Sequence, residues 1–163
     1  MRVIRMAVLV AVLVAGLATV SGLALAQGGA QGGTQNVAIT AEQVVATRQG
    51  GMAMVGSIAD LMKAGVAAGA DPKLYKEPAA ALAEWGTAYP ALFPDGTQNV
   101  GGTKAKAEIW SDRAGFEKAN AAFVAASTTL AKAAESGDKA AFAAAFAEEG
   151  KTCGACHRAY KAK

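Results

Sequence analysis

The most restrictive feature of this 163-residue chain is an apolar seam in its last third. Ile109, Phe116, Phe123 and Leu130 recur every seventh residue, and Asp112, Ala119, Ala126 and Ala133 occupy the intervening position. That spacing draws one continuous edge along an α-helix, interrupted only by Asp112 near its start. The seam stops at Ser136-Gly137, where Gly137 suits a helix C-terminus, and Asp138 can cap the helix that follows. Helices joined by so short a turn must pack side by side and antiparallel. The second of the pair continues the pattern through Phe142, Phe146, Glu149, Cys153, Cys156 and Tyr160, stepping by four and three.

The end of that helix carries Cys153-Gly154-Ala155-Cys156-His157. Two thiols three positions apart can each add to one vinyl group of a haem, and a histidine directly after the second falls beneath the iron as an axial ligand. C-x-x-C-H is the spacing of c-type haem attachment. Three other readings compete with it. A dithiol redox motif of the thioredoxin kind calls for a βαβ context, and nothing upstream supplies strands. A zinc site calls for four ligands, whereas these are the only cysteines and the only histidine in the chain. A disulfide would close a very small loop and constrain the unfolded chain little. On the haem reading both sulfurs face the interior, and Glu149 makes either a polar contact near the haem edge or a rim contact. Lys151, Arg158, Lys161 and Lys163 place positive charge where the helix dipole favours it.

The first 26 residues read as an export signal. Arg2 and Arg5 precede an apolar run from Met6 to Val20, too short to span a bilayer convincingly, and Ala24-Leu25-Ala26 is a cleavage site of the A-x-A kind. The alternative is an uncleaved anchor. Covalent haem attachment belongs on the far side of the bacterial inner membrane, so the expected location is the periplasm, with no stable membrane anchor after cleavage. Residues 27–39, which begin with a Gly- and Gln-rich stretch, form a flexible segment. Residues 40–163 are then one domain, since the chain is too short for two comfortable cores. The formal charge of +3 falls to +1 without Arg2 and Arg5. That is no footprint for nucleic acid.

Thr40 with Gln43 makes a capping box for the first mature helix, and Val45, Met52, Val55, Ala59, Met62 and Val66 follow at helical spacing. Arg48 falls on the same stripe. A cation there needs an anion, for which a haem propionate is the candidate, unless it lies at the stripe's edge and reaches solvent. Met52, one turn on, is a sixth ligand, a cover for the iron's distal face, or a core methionine. Met62 lies roughly 15 Å further along the axis, so at most one of the two reaches the iron. Four glycines, Gly50, Gly51, Gly56 and Gly65, interrupt this helix and allow a flat group or a partner helix to approach.

Asp71-Pro72 caps the next element, and a second helix runs from about Pro78 to Ala88, with Leu82, Trp85 and Tyr89 on one face. Pro90 to Gly102 reads as an irregular loop, and Trp85, Tyr89 and Phe93 read as packing rather than a cofactor box. Four amphipathic helices with short connections except one imply an all-α fold, an antiparallel four-helix bundle with its covalently attached haem between helices.

Arg48-Gln49-Gly50-Gly51-Met52, Leu92-Phe93-Pro94, Glu108-Ile109-Trp110-Ser111, and Cys153 to His157 with Tyr160 together resemble the class II c-type cytochromes, the family of cytochrome c-prime and its low-spin, methionine-ligated relatives. The resemblance covers essentially the whole mature chain. It implies one haem c per chain, held through Cys153 and Cys156, with His157 as proximal ligand and Arg48 and Gln49 at the propionate side. It places Met52 at the distal position, where c-prime proteins cover the iron without binding it and low-spin relatives ligate it. Lys161 stands where c-prime proteins often have arginine. The expected function is one-electron transfer to redox partner proteins, with Met52 and His157 both bound. The alternative is a high-spin, five-coordinate c-prime protein that binds nitric oxide or carbon monoxide. A peroxidase-type enzyme ranks third behind both: no second histidine exists to serve as a distal base, so peroxide activation would have to rely on other groups, and the chain is not expected to be an enzyme. A homodimer through the small-residue face of the first helix is compatible with both.

Overall fold

A computed structural model describes residues 38–163. The signal peptide expected over residues 1–26, and nearly all of the flexible segment after it, lie outside these residues. Ala38 and Ile39 are exposed and without regular structure.

Four long helices make the bundle. Helix α1 spans Ala41–Ala68, and the expected box closes both ways at its start. The Thr40 hydroxyl accepts from the Gln43 amide at 3.2 Å, and the Gln43 side chain accepts from the Thr40 amide at 2.8 Å. Two donors that a helix start would leave open are thereby satisfied. The helix ends at Gly69, whose φ of 63° is the left-handed turn that glycine adopts without strain. Asp71 caps a 3-10 turn over Pro72–Tyr75, and α2 follows directly over Lys76–Ala88. It starts two residues before the expected Pro78, which sits in its first turn.

The heptad seam is not one helix, contrary to the sequence expectation. It divides at Asp112 into a single turn, α3 (Glu108–Ser111), and the long α4 (Arg113–Ser136). Asp112 leaves helical geometry (φ −121°, ψ 57°) and its carboxylate accepts from the Gly115 amide at 3.1 Å. The one polar residue on the seam is therefore the N-cap of α4. Gly137 and Asp138 end α4 and start α5 (Lys139–Tyr160) as the sequence indicates. The loop expected from Pro90 to Gly102 also contains a short 3-10 turn, Tyr89–Leu92.

Helices α2 and α5 both pack on α4, and α1 closes the remaining side. Two buried clusters result. One gathers Met62, Tyr75, Leu82, Phe123, Leu130 and Phe142; the other gathers Phe93, Ile109, Phe116 and Tyr160. Cys153 packs against the first and Cys156 against the second, so the thiols straddle the two halves of the core. The chain end is held by a short antiparallel bridge, Ala105 with Lys161, flanked by hydrogen bonds from Lys106 N to Tyr160 O (3.0 Å) and Ala162 N to Lys104 O (2.8 Å).

Candidate haem site

Between the two clusters lies a half-open cavity of about 500 Å³, bounded mainly by α1, α4 and α5. All six residues singled out from the sequence line it: Arg48, Gln49 and Met52 from α1, and Cys153, Cys156 and His157 from α5. Helical spacing accounts for both sets, since 48 to 52 and 153 to 157 each span one turn. Met52 is half-buried there, whereas Met62 is sealed in the core and Met54 points outward. Only Met52 among these three borders the cavity.

Arg48 neither reaches solvent nor waits unpartnered. It is 2% exposed and donates to four oxygens of the loop: Leu92 O (3.1 Å), Thr97 Oγ1 (2.9 Å), Thr97 O (2.9 Å) and Thr103 Oγ1 (2.9 Å). Its guanidinium also lies 4.5 Å from the Phe93 ring centroid. All of these acceptors are neutral, and burial lowers the pKa of the group. A buried cation at a cavity wall, surrounded by dipoles and no carboxylate, is an electrostatic seat for an anionic group.

Both thiols are free and half-buried, and burial pushes their pKa values up. They are held as neutral thiols rather than reactive thiolates. His157 is pushed down, by burial first and by Lys161 second, which favours the neutral imidazole able to donate a lone pair. Among the described residues no three His, Cys, Asp or Glu side chains cluster as a metal cage, so the zinc reading finds no support in the geometry.

Aromatic residues that the sequence assigned to packing also belong to this site. Tyr89 and Phe93 line the cavity, as do Phe116 and Tyr160. Tyr89 is buried enough that its pKa is pushed up to about 12. The recruitment of Tyr89 and Phe93 depends on how the 89–103 segment folds back on α1 through Arg48, and such a segment has no periodicity to reveal that. Glu149 does not border the cavity. It is 2% exposed in the α4–α5 interface and accepts from Ser127 Oγ at 2.9 Å, which replaces both contacts expected for it at the haem edge or rim.

Two thiols and a neutral imidazole on one turn, a mostly apolar cavity large enough for a flat macrocycle, and a buried cation at its wall fit a porphyrin with carboxylate arms. Fold and site together define a four-helix bundle built to attach haem. The profile of the family described as cytochrome C' matches residues 43–161, and the chain belongs to that family, a long-standing example of this bundle architecture. Its cofactor is covalently attached haem c. Cytochrome c' of Rhodospirillum rubrum is 43% identical over 91 residues, which cover 56% of this chain and 62% of that protein. The chain thus spans somewhat under two thirds of that relative's length. Among solved structures, a cytochrome c' with a ligand-controlled dimer dissociation superposes with a TM-score of 0.73 at 30% identity, covering 77% of this chain and 99% of that one. A variant of cytochrome c prime from Alcaligenes xylosoxidans, in complex with nitric oxide, gives 0.69 at 33%, covering 76% and 98%.

Proposed function

We propose that this protein is a five-coordinate cytochrome c' that binds small neutral gases, nitric oxide and carbon monoxide, at the face of the iron turned toward α1. The reading is carried by the part of the α1 wall beyond Arg48 and Gln49. Met52, Val55, Gly56 and Ala59 offer no hydrogen-bond donor and no charge, so they favour an uncharged diatomic over an anion or a hydrated ligand. Related proteins are solved with nitric oxide or carbon monoxide bound, which supports the same reading. It is better supported than the electron carrier expected first from the sequence.

The roles of the side chains follow from their chemistry. Cys153 and Cys156 form the thioether bonds, and His157 is the proximal ligand. Arg48 and Gln49 face the propionates, and Met52 covers the distal face without ligating. The bound haem supplies one open coordination position, and the chain decides what reaches it. With its sole histidine on the proximal side, the chain has no distal histidine to act as acid or base, which favours a binding protein over a peroxidase-type enzyme.

We place the mature protein in the periplasm, on the strength of Arg2, Arg5, the apolar run to Val20 and the Ala24-Leu25-Ala26 site. A homodimer through α1 is part of the reading. Gly50, Met54, Ser57, Leu61, Ala64 and Ala68 step by four and three along its outer face and are all exposed, Met54 by 61% and Leu61 by 55%. Small residues between and on either side of two large apolar ones suit a close helix–helix contact, and one relative is a dimer with ligand-controlled dissociation.

Optical titration of the ferrous protein with carbon monoxide tests the function. Binding by the unmodified protein, made tighter or faster in Met52→Ala, is the expected result. Binding only after Met52 is removed would return the protein to the electron carriers.

A further inference from the structure

The gas-binding account leaves one buried ionisable group without a task. Glu149 is 2% exposed, and the one hydrogen-bond partner of its carboxyl is Ser127 Oγ, itself 0% exposed. No cation compensates it. The ion pairs among the described residues are Lys76 with Glu135, Arg113 with Glu117, and Lys151 with Glu148, and the last commits the nearest lysine on α5 to the neighbouring glutamate. From α4 it meets the neutral Ser127, and along α5 it meets Cys153, one turn on; no charged side chain of α1, α2 or α4 bears on it. A carboxyl held this way is costly to ionise.

We propose that Glu149 is a proton site coupled to the oxidation state of the haem: it binds one proton when the iron is reduced and releases it when the iron is oxidised. The placement carries this. Cys153, one of the two attachment points of the macrocycle, borders the cavity and lies one helical turn from Glu149, so the carboxyl, though outside the cavity, is within electrostatic reach of the tethered group whose charge changes. Ferric iron carries one more positive charge than ferrous iron and stabilises a nearby carboxylate. On reduction that stabilisation is lost. The balance is one electron taken from an external one-electron donor and one proton taken from solvent, giving ferrous iron and a carboxylic acid from ferric iron and a carboxylate. Ser127 suits both states, because its hydroxyl donates to the carboxylate and, on rotation, accepts from the acid. Burial also raises the proton affinity of Glu149, with the Ser127 hydrogen bond opposing it, which moves the exchange toward neutral pH. The inference rests on haem attachment and is independent of gas binding.

The test is a spectroelectrochemical titration of the holoprotein across pH, beside Glu149→Gln. A tenfold higher proton affinity in the reduced protein corresponds to about 59 mV for a one-electron couple. The potential should fall by a step of that order as pH rises through the Glu149 range, and the step should vanish in Glu149→Gln while any dependence from the haem carboxylates persists. Infrared difference spectra on protein labelled with 13C-glutamate give a second readout: a protonated carboxyl C=O band appears on reduction, shifts with the label, and moves in Ser127→Ala. An unchanged pH dependence in Glu149→Gln overturns the proposal. If that variant does not mature, absence of the labelled band in the unmodified protein overturns it equally.

Discussion

The Tyr160 hydroxyl donates to Asp112 Oδ2 at 3.0 Å, joining the last turn of α5 to the N-cap of α4. The same carboxylate accepts from the Gly115 amide through its other oxygen. One side chain therefore starts a helix and anchors the helix that bears Cys153, Cys156 and His157. Tyr160→Phe should lower the unfolding free energy of the holoprotein by about 1 kcal/mol, the net worth of one hydrogen bond. Asp112→Ala should cost more, about 2 kcal/mol, because the cap is lost as well. Denaturant titrations of the two variants check the ranking.

Arg48 holds the 92–103 loop by four hydrogen bonds, so its replacement acts on the loop as well as on the haem. Arg48→Lys keeps the charge but lacks the planar fork that reaches Thr97 and Thr103 together. A loss of at least about 2 kcal/mol is expected, since buried acceptors are left unpaired. Amide hydrogen exchange should show it as faster exchange across Thr97 to Ala105, with α2 and α4 little changed.

Two glycines in helices should respond oppositely to alanine. At Gly51 a Cβ would run into the Trp85 indole ring, whereas at Gly150 it would meet nothing within 4 Å. Gly51→Ala should destabilise by about 1–3 kcal/mol through overpacking. Gly150→Ala should stabilise by about 0.5–1 kcal/mol through helix propensity alone. Thermal unfolding of both variants gives the comparison.

Burial holds the Glu149 carboxyl above the usual carboxylate range, so the native state binds its proton more tightly than the unfolded chain does. Between the two pKa values the native state carries more protons, and stability falls as pH rises. The contribution is fully present below the unfolded-state value and lost once pH passes the folded one. Glu149→Gln should remove this slope and should be the more stable protein on the alkaline side of that window. Unfolding midpoints measured against pH for both proteins check the sign.

The parts of this fold that were legible in the sequence are those set by local rules. Thr40 with Gln43, Gly69, Gly137 and Asp138 mark helix ends through chemistry within a few residues of themselves, and each does so in the structure. The burial of Arg48 followed from its place on an apolar stripe, but its partners 44 to 55 residues away did not. Asp112 looked like a lapse in a heptad seam because its second partner, Tyr160, is 48 residues distant. Tyr89 and Phe93 passed for packing because they reach the cavity from a loop and its short 3-10 turn, where no repeat marks the inward face. What escaped was mostly long-range; the Asp112 cap on Gly115 is the local exception, masked by the apolar seam running through it.

The coordination of the iron is the point on which the functional reading turns. Electron paramagnetic resonance of the unmodified ferric protein at neutral pH addresses it directly. A high-spin signal, unchanged in kind by Met52→Ala, is the predicted result, because Met52 covers the distal face without binding. A low-spin signal that Met52→Ala converts to high spin would contradict it.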